Sequence, residues 1–313
     1  MSKIEKALNK ARTTGSLRIV SPQPQPVSRE MVSDATSTAS HVTGLIEQRV
    51  SSSEAIARME EKAPLSKQAL SHNRVIYPEL GDNATVRAFR EIRTKIIQKA
   101  QGRNCVIMVT SVSSGGGSSF VSLNLGVAFA FDAGKTSLLV DCNLKNPSLH
   151  RLFGQGSFRG LTDYMENSEM DIADIIHPVG IERLRIIPSG GKREIPAEYF
   201  TSLKMKRLLE NIRQRYRERY VLIDAPPMTE SADTQILAEL CDFVVLVVPY
   251  GRVTDAQINT CIKAIDDKKL VGVVFNDEPA LPDFRWLDML KNPFAAIREV
   301  ISRPVNHRNK KVK

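Results

Sequence analysis

Between residues 105 and 133 the sequence is apolar, then glycine-rich, then apolar again. Residues 105–110 form a β-rich run, Ser113-Ser114-Gly115-Gly116-Gly117-Ser118-Ser119 follows almost directly, and residues 120–133 carry the pattern of a helix. A strand that passes through a glycine turn into a helix N-terminus aims backbone N–H groups and the positive end of the helix dipole at one spot, which suits a phosphate. No other segment restricts the fold as tightly. The lysine that normally follows the last glycine of such a loop is absent, because Gly117 is followed by Ser118. A serine hydroxyl cannot stabilise charge moving between phosphates as that lysine does, so backbone cradling is expected to survive while transfer is weakened. Ser119 stands where a Mg²⁺-binding hydroxyl belongs. Gly134-Lys135-Thr136 spells the end of the same motif, but it precedes a strand pattern and Phe129 takes the place of the leading glycine, so it is read as a turn.

Further short apolar runs cover residues 137–141, 184–188, 220–224, 243–248 and 271–275, with helical stretches between them. Strands apolar on both faces and separated by helices predict an α/β, doubly wound fold, with a mostly parallel sheet and helices on both faces. Asp141 ends one such strand and Asp224 another. In parallel sheets ligands lie beyond the C-terminal ends of the strands, so both carboxylates are predicted to point at the loop. There they can hold Mg²⁺, directly or through water, or accept a proton. A strand-end aspartate is often only a helix cap, but two flanking one glycine loop favour the functional reading.

A chain of 313 residues accommodates one core with accessory segments. A helix is expected over 1–15, where Ser2 and Glu5 form a capping box and Lys3, Lys6, Lys10 and Arg12 share the polar face. Residues 16–83 read as a flexible linker, with a helix around 53–62; the compact domain is expected over 84–303, followed by a basic tail at 304–313. The balance of 44 Lys+Arg against 35 Asp+Glu, a net charge of +9, favours anionic partners such as a membrane surface, or serves solubility alone. Cys105, Cys142, Cys241 and Cys261 fall at no metal-ligand spacing and read as small buried thiols of a reducing compartment. No apolar run approaches the ~20 residues that span a bilayer. The expectation is a cytoplasmic chain, peripheral at most to the inner face of the plasma membrane.

Together these motifs resemble the bacterial tyrosine kinases, the exopolysaccharide-associated tyrosine autokinases, which are P-loop NTPases related to chromosome-partitioning and septum-positioning ATPases. Thr110 to Ser119 matches the family's Walker A loop, Val140-Asp141-Cys142-Asn143-Leu144-Lys145-Asn146-Pro147-Ser148-Leu149-His150 its Walker A′ segment, and Ile223-Asp224-Ala225-Pro226-Pro227 its Walker B. Pro188-Ser189-Gly190-Gly191 and Pro196-Ala197-Glu198 match further landmarks. The resemblance implies ATP or ADP with Mg²⁺, cradled by Gly115, Gly116, Gly117, Ser118 and Ser119. Asp141 would lie near the attacking hydroxyl, Ser119 and Asp224 would hold the metal, and Asn276 would contact adenine. It also implies homo-oligomeric rings, autophosphorylation of a tyrosine-rich tail, and a chain-length-determining (polysaccharide co-polymerase) membrane protein as partner, with no specific nucleic acid.

Departures from the pattern are Ser118 for the loop lysine, Asn143 for an acid, Arg87 for a glutamate of the oligomerisation motif that retains Arg90 and Arg93, and no tyrosine after Tyr250. They predict a catalytically impaired regulatory pseudo-kinase of exopolysaccharide export. Two alternatives stay open: an active kinase or ATPase that uses Lys145 or Arg151 as a substitute cation, and a DNA- or membrane-positioning ATPase.

Overall fold

The computed structural model describes residues 19–20, 56, 59, 61–81, 83–153, 158–216 and 218–277. The helix expected over 1–15, most of the one expected at 53–62, and the basic tail lie outside the described residues. The elements in order are β1 (Ile19–Val20), α1 (Lys67–His72), α2 (Ala84–Lys99), β2 (Val106–Ser111), α3 (Ser118–Ala130), β3 (Thr136–Asp141), α4 (Leu161–Glu166) and β4 (His177–Pro178). They continue with β5 (Leu184–Ile187), α5 (Ala197–Thr201), α6 (Leu203–Arg215), β6 (Arg219–Asp224), α7 (Asp233–Leu240), β7 (Phe243–Pro249), α8 (Asp255–Lys263) and β8 (Leu270–Asn276).

The strands join in the order β1-β8-β7-β2-β6-β3-β5-β4. From β8 to β5 every pairing is parallel, and the two-residue strands β1 and β4 close the edges antiparallel. All residues of β2, β3, β6 and β8 are buried, as the unbroken apolar runs require of strands covered on both faces. Helix α3 is buried on nearly every side, and Leu125 and Phe129 are fully buried, each such side chain contributing about 1.5–3 kcal/mol. Helix α2 is amphipathic instead. Its N-terminus is capped by Asn83, and it sets Val86, Phe89, Ile92 and Ile96 into the core, with Phe89 edge-on to Phe120 at 5.9 Å.

The doubly wound α/β expectation holds, with β2, β3, β5, β6, β7 and β8 at the places read from the sequence. Gly134-Lys135-Thr136 is the turn into β3: the Gly134 and Lys135 amides donate to Asp132. Packing extends upstream of Ala84, because α1 precedes Val75 and Ile76, which are buried in the same core. The buried Asn124 of α3 ties that segment down, accepting from the Ile76 amide at 2.7 Å and donating to the Arg74 carbonyl at 3.1 Å. The four cysteines are buried and free.

Candidate functional site

The glycine loop leaves β2 through a tight turn in which the Ser111 hydroxyl and the Gly116 amide both donate to the Ser113 carbonyl, at 2.8 and 3.1 Å. Gly117, at φ +93°, is the N-cap of α3. A Cβ there would stand 2.1 Å from Nδ2 of Asn276, and one on Gly116 would stand 2.6 Å from the Ser111 Cβ, so only glycine lets the loop close. Asn276, the last residue of β8, donates to the Gly116 carbonyl at 3.1 Å. On the other flank Arg252 donates to the Gly115 carbonyl at 2.9 Å and pairs with Asp277 at 2.7 Å, while the Ser114 amide donates to Glu230 at 2.8 Å. The loop is thus stapled in place beside the start of α3, whose first N–H groups have no partner within the helix.

Asp141 and Asp224 sit opposite one another in the β3–β6 pairing, both fully buried. Asp141 accepts from the amides of Asn143, Ser148 and Leu149 at 3.1–3.2 Å. Burial raises its carboxyl to about 6, against the opposing pull of those amides. Asp224 is raised well above the ordinary carboxylate range, first by burial and then by the charge of Asp141, and the hydroxyls of Ser119, Ser122 and Ser118 only temper this. Those hydroxyls lie near without good hydrogen-bond geometry, so both Asp224 oxygens lack a partner. An orphaned buried carboxylate beside a hydroxyl and a phosphate cradle fits a Mg²⁺-nucleotide.

Above the loop lies a cleft of about 600 Å³ whose walls include Gly115, Gly117, Ser119 and Asn276. Gly116 and Ser118 are buried behind it. Lys145 is engaged elsewhere, 3.8 Å from Asp233, which also accepts from the Ser231 hydroxyl.

CpsD of Streptococcus agalactiae, a tyrosine-protein kinase, is 30% identical to this chain over 191 residues, covering 60% of the chain and 81% of CpsD. The chain belongs to the bacterial tyrosine-protein kinase family. YwqD of Bacillus subtilis, another tyrosine-protein kinase, is 33% identical over 192 residues, 79% of its length. EpsB of Ralstonia nicotianae is 32% identical over 219 residues, 68% of this chain, which spans only 28% of EpsB. Among solved structures, the chimerical protein CapA2B2 superposes with a TM-score of 0.59 at 27% identity, covering 69% of this chain and 92% of that one. The BceF tyrosine kinase domain does so at 0.56 and 27%, covering 70% and 93%. No family model matches.

Within this member of the family the residues singled out from the sequence lie at one edge of the sheet: Gly115 to Ser119 follow β2, and Asp141, Asp224 and Asn276 are the last residues of β3, β6 and β8. The Asn276 amide is turned onto the loop backbone. Arg90 and Arg93 of α2 turn toward the C-terminal end of α3, Arg93 donating to the Ala128 carbonyl at 2.8 Å and Arg90 lying over the Phe131 ring. Sequence reasoning missed Arg252, Glu230, Asn124 and Arg74. Arg252 meets Gly115 across 137 positions of chain, and no local pattern marks such a pairing.

Proposed function

We propose that this chain is a regulatory subunit of exopolysaccharide biosynthesis or export, a member of the tyrosine-kinase family that binds Mg-ATP or Mg-ADP weakly and transfers phosphate poorly. One observation carries the reading. Ser118 occupies the first position of α3, next to the orphaned carboxylate of Asp224, where the loop would need a cation. The neighbouring cations Lys145 and Arg252 are tied to Asp233 and to Asp277. Gly115, Gly116, Gly117, Ser118 and Ser119 would cradle the phosphates, Ser119 and Asp224 would hold the metal, and Asn276 would sit at the base. The bound metal would supply charge neutralisation at the phosphates. Without the lysine the site loses electrostatic stabilisation of transfer worth several kcal/mol in comparable sites.

The proposed partner is a chain-length-determining membrane protein, which the chain would join at the inner face of the plasma membrane, in homo-oligomers, with anionic lipid as an accessory contact. Among the described residues no helix is long and apolar enough to cross a membrane. A second reading, an active kinase or ATPase with a substitute cation, is favoured by Arg151, which lines the cleft. Phosphotyrosine mass spectrometry of the expressed chain and an ATPase assay decide between them. The expected result is no modified tyrosine and turnover far below ~1 s⁻¹, the low end for kinases. A modified tyrosine that disappears in Asp141→Asn would establish the active reading instead.

A further inference from the structure

The cleft above the loop carries two arginines that no described contact employs. Arg74 and Arg151 line it together with Gly115, Gly117 and Ser119. Among the described residues neither guanidinium has an ion-pair partner. The single acid on the cleft wall, Asp277, is already paired with Arg252, so the wall carries net positive charge.

Both arginines are presented by built structure. Arg74 follows α1 at φ +54°, a left-handed conformation that is strained for a non-glycine residue. The strain is held by its neighbours: the Arg74 amide donates to Ser71, its carbonyl accepts from Asn124, and the Ile76 amide donates to the same Asn124. Asn124 belongs to α3, so the helix that ends the phosphate loop also fixes the backbone of Arg74. Arg151 stands in the 3-10 turn Leu149–Phe153. That turn begins at the Ser148 and Leu149 amides, both donating to the buried Asp141 carboxylate at 3.2 Å. The backbones that carry the two cations are therefore anchored to α3, through Asn124, and to the end of β3, through Asp141.

We propose that Arg74 and Arg151 hold the phosphate chain of a nucleoside di- or triphosphate in this cleft, supplying charge for binding without restoring the transfer role of the missing loop lysine. A guanidinium presents a planar fork of donors that suits phosphate oxygens, and it stays charged at any working pH. The proposal rests on the nucleotide-binding reading above, and it gives that reading a source of charge outside the loop.

The test is calorimetric titration of the full chain with Mg-ATP, Mg-ADP and pyrophosphate, for the unmodified protein, Arg74→Gln, Arg151→Gln and the double variant. Arg103→Gln, ahead of β2 at the far end of the sheet, is the control. Each cleft substitution is expected to weaken ATP and pyrophosphate about ten-fold, with unchanged melting temperatures and a shallower salt dependence. Arg103→Gln should change nothing. ATP binding that is unaffected in the double variant overturns this inference and leaves the nucleotide-binding reading standing. A loss confined to ATP and ADP, with pyrophosphate held as before, places the arginines on the nucleoside and also overturns it. No binding of any probe by the unmodified chain overturns both. If Arg74→Gln melts early, Arg74→Lys replaces it, and the same ten-fold criterion applied to Arg151→Gln still decides.

Discussion

Asp141 and Asp224 are direct partners across the β3–β6 pairing, equally buried, yet three backbone amides converge on Asp141 and no donor of good geometry reaches Asp224. One carboxylate has a structural task and the other is buried without a hydrogen-bond partner.

The first prediction concerns pH. Both carboxyls are raised, Asp141 to about 6 and Asp224 well above its ordinary value, so the folded state holds protons that the unfolded chain has released. Stability is then fully present below the unfolded value near 4 and falls as pH rises toward 6 and beyond. Thermal melts in EDTA should show the melting temperature dropping across this window. Asp224→Asn should flatten the drop and raise stability at pH 7.5 by ~1 kcal/mol or more, which is a few degrees. A melting temperature that climbs between pH 4 and 7 in the unmodified chain would contradict it.

Gly117→Ala should destabilise the fold and abolish nucleotide binding, because φ is +93° and the new methyl would meet Asn276 Nδ2 at 2.1 Å. The expected cost is about 2 kcal/mol. Gly134→Ala, whose Cβ would meet only Asp132 at an ordinary 3.7 Å, should change stability by less than ~1 kcal/mol. Urea unfolding of the two variants makes the comparison, and equal losses would refute the geometry.

Restoring the missing cation is the third test. Ser118→Lys, at the first position of α3, should bind ATP roughly ten-fold tighter in calorimetry, as a charge-assisted hydrogen bond to phosphate implies. If affinity stays flat, the loop has lost its nucleotide-binding shape for reasons beyond the side chain.

Arg252→Ala separates loop shape from stability. Its ion pair with Asp277 is about half exposed on both sides, a class worth ~0–1 kcal/mol, so melting should barely move. Because the same guanidinium holds the Gly115 carbonyl, nucleotide affinity should fall several-fold. Asn276→Ala, removing a buried donor from the Gly116 carbonyl, should cost both affinity and about 1 kcal/mol of stability. Matching losses of affinity without any stability change in Asn276→Ala would remove it as a loop support.

The six inner strands were legible because each is a continuous apolar run buried on both faces, and the phosphate loop because its glycines are local in sequence. Helix α1, within the stretch read as a linker, and the edge strands β1 and β4 were not legible at all. Two-residue strands such as β4, half-buried and carrying Pro178, have no periodicity to detect. Strand-end position placed Asp141 and Asp224 near the loop, but which of them would be met by amides depends on how the 143–149 turn folds back, and nothing in the motif specifies that. Lys145 looks available as a cation in the sequence; its pairing with Asp233, far along the chain, was decided by packing. The same holds for Arg252 at Gly115 and for Arg74, brought to the cleft through Asn124. By itself the sequence determined the α/β class, the loop and the absence of its lysine, because these rest on periodicity and on adjacent residues. Only the tertiary structure decided which charges surround that loop, because the topology of a parallel sheet collects side chains from strand ends that lie more than a hundred residues apart.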